Sequence, residues 1–89
     1  MLKKFEEFCE AKVAEFEKEV EALNNRIDVI RLYKAYHKET FDKADATFPR
    51  TDGWGDQDDA YFIAGKATDK MSVLHANKLR EIGVQHENI

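Results

Sequence analysis

Apolar residues recur along the first half of the chain at Cys9, Val13, Phe16, Val20, Leu23, Ile27 and Ile30. The steps alternate four and three, a heptad-like spacing of the kind seen in coiled coils, which lines up one face of an α-helix. Leu2 and Phe5 extend the stripe backwards in looser spacing. Beyond Ile30 it drifts: Lys34 and His37 take the next heptad positions, while Tyr33, Tyr36, Phe41, Ala44 and Phe48 carry the apolar face. Residues 1–48 hold no glycine or proline and consist mostly of good helix formers. Asn24-Asn25 is the only candidate break. Asn tolerates the left-handed conformation at a helix end, and Asn25 is able to N-cap a new helix with Asp28 at its third position. The stripe passes through these residues without a change of phase, so the pattern predicts one continuous helix, with a hairpin as the alternative. Unbroken, that helix would be roughly 70 Å long at about 1.5 Å per residue, too long for a lone compact domain.

Phe48-Pro49-Arg50-Thr51-Asp52-Gly53-Trp54-Gly55 has the composition of an ordered turn. Asp56 then reads as an N-cap, with Asp59 in the capping-box position and Asp58 also in the first turn, where carboxylates meet free N–H groups. Ala60, Ile63, Ala64, Ala67, Met71, Leu74 and Ile82 predict a helix over residues 56–82. Gly83 is expected to end it, with Val84 packing back and residues 84–89 frayed, and Ser72 after Asp69 marks a place for a kink. No strand-like alternation of useful length occurs. The expected fold is all-α, a single helical domain made of a helix or helix pair over 1–48, a loop over 49–55 and a helix over 56–83.

A long helix and a shorter one of at most about 40 Å do not enclose each other's apolar faces. The expectation is therefore a homo-oligomer, most simply a homodimer of antiparallel or crossed long helices. The small residues Ala60, Ala64, Gly65 and Ala67 would allow close packing. A monomeric three-helix bundle broken at Asn24-Asn25 is the alternative.

Composition narrows the setting. The 89 residues are 43% hydrophobic and 36% charged, and one cysteine suits a reducing compartment; a cytoplasmic protein is expected. Phe5-Glu6-Glu7-Phe8 directly follows the start, so no secretory signal is expected, and no apolar run is long enough for a membrane span. The net charge of −4 argues against nucleic acid as a partner.

Three constellations offer chemistry. Between residues 26 and 38 four bases gather against one acid, and Arg31, Lys34 and Lys38 share a face, read as lying next to Tyr33 and Tyr36. Such a patch suits an acidic protein or an anionic ligand, since arginine and tyrosine are common interface anchors. Trp54, the only tryptophan, sits between two glycines on the turn. It either plugs the core, the expected role, or stands out as a binding anchor. The third constellation is acidic. Glu39 and Asp42 form an E-x-x-D pair, and Asp56 and Asp59 a D-x-x-D pair; hard oxygen ligands of this kind suit Mg²⁺. This is loosely similar to the pattern of the all-α MazG-type nucleotide pyrophosphohydrolases, E-E-x-x-E followed by E-x-x-D. A second alignment places Glu6-Glu7-Phe8-Cys9-Glu10 on the first motif and Glu39-Thr40-Phe41-Asp42 on the second, and a hairpin would then bring Glu10 to Glu39 and Glu7 to Asp42. The resemblance covers the motifs only, with Lys38 where the first alignment wants an acid. It would imply a Mg²⁺-dependent enzyme using Glu39, Asp42, Asp56 and Asp59.

Cys9 lies on the apolar stripe and reads as a buried hydrophobe, and His37, His75 and His86 have no metal-ligand spacing. The reading as a whole is a small acidic helical protein that self-associates and acts by binding, as an adaptor, assembly factor or inhibitor, with Arg31, Tyr33, Lys34, Tyr36, Lys38 and Trp54 as its contact residues. No catalytic residue, metal or cofactor is expected. The alternatives are the Mg²⁺-dependent pyrophosphohydrolase and an oligomeric sponge for a small anionic ligand.

Overall fold

Asn25 sets the course of the chain. Its backbone is extended (φ −121°, ψ 131°), and its side-chain oxygen accepts hydrogen bonds from the N–H groups of Ile27 at 2.8 Å and Asp28 at 3.3 Å. In this computed structural model, which describes the backbone of residues 2–87 and the side chains of residues 2–83, helix α1 spans Leu2–Glu21 and α2 spans Arg26–Thr47. The continuous helix expected over 1–48 is thus a hairpin. The N–H groups of Ala22 and Leu23 bond back to the carbonyls of Glu19 and Val20, tightening the last turn of α1, and the Lys78 ammonium donates to the Glu21 carbonyl at 3.0 Å.

Tertiary burial decides for the hairpin. Past the turn the stripe is reset: Ile27, its predicted member, is 59% exposed, whereas Val29 is fully buried. Folding back lays Val29, Tyr36 and Ala44 onto the α1 stripe, so that Phe16 reaches 0% exposure with the Tyr36 ring at 5.5 Å and the Tyr33 ring at 6.3 Å. A continuous helix would leave this surface uncovered within one chain. Thr40, fully buried in α2, donates its hydroxyl to the Tyr36 carbonyl at 2.7 Å and so carries no unpaired polar group into the core.

Helix α3, Asp56–Glu87, runs parallel to α1 and antiparallel to α2 and covers both. Phe5 meets Phe48 edge-on at 5.7 Å at one end of the bundle, and Lys78 reaches Glu21 at the other. Of its predicted stripe, Ala60, Ala64, Ala67, Met71 and Ile82 are buried, and Ile63 and Leu74 are half-buried against them. The predicted stop at Gly83 is not used. The helix continues through Gly83 to Glu87, because a glycine lowers helix propensity by about 1 kcal/mol without forcing a left-handed turn. Of the tail expected to fray, residues 84–87 are helical and residues 88–89 lie outside the described residues. The long unpaired stripe that suggested crossed long helices does not arise, since the three helices enclose it within one chain.

Candidate functional site

Counting about 100° per residue around α2 separates the two halves of the basic-aromatic segment. Arg31, Lys34 and Lys38 fall on the outer side and are exposed, while Tyr33 and Tyr36 fall across the helix from them. Tyr36 is 8% exposed and donates its hydroxyl to Glu19 Oε2 at 2.6 Å. Burial first, then this hydrogen bond, pushes its ionisation well above the usual tyrosine range. Tyr33 is half-buried and stacks on His75 at 4.7 Å. Both tyrosines therefore pack toward the core, which corrects their predicted place beside the bases. Lys38 donates to Asp42 at 2.5 Å, and this bond holds its ammonium above the ordinary lysine range.

Three of the four acids of the third constellation are engaged with different partners. Glu39 accepts from Lys12 at 2.7 Å, Asp42 from Lys38, and Asp59 from the Trp54 indole N–H at 2.8 Å. Lys12 bridges Glu39 and, at 3.2 Å, Glu15, and its ammonium is held above the usual range chiefly by Glu39. The alternative alignment needs the hairpin that is present, yet Lys12 and not Glu10 faces Glu39. Glu6 and Glu10 instead line the groove between α1 and α3. Among the described residues no group of three or more His, Cys, Asp or Glu side chains is placed to hold a metal ion.

The N-terminus of α3 is capped one residue earlier than predicted. The Gly55 carbonyl accepts from the N–H groups of Asp58 and Asp59, and the Gly55 N–H donates to Asp58 Oδ2 at 2.8 Å. Gly55 is thus the N-cap and Asp58 the reciprocal capping-box acid, which places Asp56 in the first turn. With Asp58 so engaged, Asp59 is free to hold the indole of Trp54. That residue is 76% exposed, not a core plug, because Phe48 and Phe5 already fill this end of the core at 2% and 3% exposure. Gly53 makes the display possible with φ +78°, a conformation other residues rarely adopt. The Gln57 side chain donates to the Phe48 carbonyl at 3.0 Å and ties the loop to the end of α2.

Two features escaped the sequence. Phe62 and Val73 are 61% and 60% exposed on α3; a large apolar residue off the Ala60-Ile63-Ala64-Ala67 stripe is the signal that marks Phe62. His75 carries a buried Nδ1 with no hydrogen-bond partner while its ring packs on Tyr33. An unpaired buried nitrogen costs about 1–3 kcal/mol, so His75→Phe, which keeps the stack, is expected to leave stability unchanged or raise it by about 1 kcal/mol in urea denaturation.

Among the described residues no helix is long and apolar enough to cross a membrane. No protein-family model, curated protein or solved structure matches the chain.

Proposed function

We propose that the protein acts by binding a macromolecular partner, as an adaptor, assembly factor or inhibitor, with Trp54 as the anchor. The observation that carries this reading is a tryptophan 76% exposed yet tethered by its indole N–H to Asp59. A side chain already ordered before contact loses little freedom on binding, and tryptophan is the residue type most enriched among interface hot spots. Asp52 on the loop and Asp56 in the first turn of α3 flank it in sequence and are exposed, with Arg50 as the nearby base. A partner pocket that is apolar inside and basic at its edge suits these surroundings. Arg31 and Lys34 are exposed at the other end of α2.

Trp54→Ala is expected to leave helical circular dichroism intact and stability within about 0.5 kcal/mol, as for a surface change. A partner co-purified with the wild-type chain should bind it about 30-fold more weakly, the effect of losing a contact worth about 2 kcal/mol. Burial of this single tryptophan should also shift its fluorescence to shorter wavelength in the complex. A partner that tolerates Trp54→Ala but is lost on the double change Arg31→Ala, Lys34→Ala would move the contact to α2 and overturn the assignment.

A further inference from the structure

The groove between α1 and α3, about 250 Å³, has an apolar floor that includes Cys9, Val13, Ile63 and Ala67. Its banks carry opposite charges. Glu6 and Glu10 line the α1 side, and Lys66 and Lys70 the α3 side. All four are exposed, and among the described residues none is in an ion pair. Phe62 stands on the basic bank with the Lys66 ammonium 4.7 Å from its ring centre. At about 100° and 1.5 Å per residue, Val73 lies on the same outer line of α3, about 16 Å further along. An apolar line beside an apolar groove is surface of the kind that partners cover.

The charge order selects the occupant. A uniformly acidic or basic partner would meet repulsion on one bank. What fits is a surface with the same two charges in mirrored order, and a second copy of this chain provides it. A two-fold axis parallel to the helices and lying over the groove sets α1 of one copy on α3 of the other. It keeps their height, since α1 and α3 run parallel and the four charges share one groove. Glu6 and Glu10 then meet the Lys66 and Lys70 of the other copy twice over, as an isologous interface requires, while each Phe62 faces the other copy's groove. We propose that the α1/α3 face is a self-complementary dimer surface. It leaves the Trp54 loop, at the end of the bundle, to its own partner.

Sedimentation equilibrium on four proteins tests this. The wild-type chain is expected to dimerise between micromolar and submillimolar concentration, more weakly as salt rises. Phe62→Ser should weaken the dimer about tenfold or more, and so should each charge reversal, Glu6→Lys with Glu10→Lys and Lys66→Glu with Lys70→Glu. Mixing the two reversed proteins in equal amounts should restore dimer as a heterodimer, because one then carries two basic banks and the other two acidic ones. All four substituted positions used for reversal are exposed, and circular dichroism confirms that each variant is folded before it is compared. A wild-type monomer throughout that range overturns the proposal, as does a dimer indifferent to Phe62→Ser or a mixture no more associated than its components.

Discussion

Replacing Phe16 with alanine is expected to destabilise the chain by about 3–5 kcal/mol, the range for a buried aromatic truncated in a core. Phe16 is 0% exposed and lies between the rings of Tyr36 and Tyr33, at 5.5 and 6.3 Å, so the loss is both of apolar burial and of aromatic contact. It also touches the hairpin directly, since those tyrosines belong to α2. A chain of this length holds about 4–13 kcal/mol in all, at roughly 0.05–0.15 kcal/mol per residue. The variant therefore gives up a large part of its stability. In urea the midpoint should fall steeply with little change in slope; a drop under about 1 kcal/mol would mean that Phe16 is not where the helices meet.

Cys9 should be all but inert while the protein is folded. Burial, followed by the nearby Glu10 and Glu6, raises its thiol from 9.0 to about 11, and only 2% of the residue is exposed. At neutral pH that leaves about a hundredfold less thiolate, the reactive form. A thiol reagent should therefore label the native chain at least about 100-fold more slowly than the chain in denaturant. The same shift has a definite sign in stability. The folded state holds this proton more tightly than the unfolded one, so the contribution is complete below pH 9 and is lost as the pH climbs toward about 11. Cys9→Ala should flatten that part of the alkaline unfolding curve. Rapid labelling of the native protein would place Cys9 at the surface and contradict the packing of α1 on α3.

Features written in local chemistry were legible before any coordinates. The capping ability of Asn25, given only for the alternative hairpin, the turn over 48–55 and the stripe of α3 each depend on residues a few positions apart. Whether α1 and α2 form one helix was not legible, because Val20, Leu23, Ile27 and Ile30 keep a helical phase across Asn24-Asn25 in either case. Only the landing of Tyr33 and Tyr36 on Phe16, 17 and 20 residues away in sequence, separates the two outcomes. The candidate site divided along the same line. A count around the helix suffices to put Tyr33 and Tyr36 opposite Arg31 and Lys34. The exposure of Trp54 depends on Phe48 and Phe5 occupying the end of the core first, and the opposed charges on α1 and α3 exist only once those helices lie side by side.

Every placement of Trp54, of the acids and of the α1/α3 face rests on the chain reversing at Asn24-Asn25, and one distance tests it. Spin labels at the exposed positions 7 and 42, introduced as Glu7→Cys and Asp42→Cys with Cys9→Ala, sit on neighbouring antiparallel helices, whose axes pack about 8–10 Å apart. Pulsed electron resonance, on labelled protein diluted with unlabelled chain so that only distances within one chain are read, should return a single short distance, the helix spacing plus the reach of two labels. An unbroken helix would hold the same positions about 52 Å apart at about 1.5 Å per residue, and a distance near that value would contradict the three-helix fold.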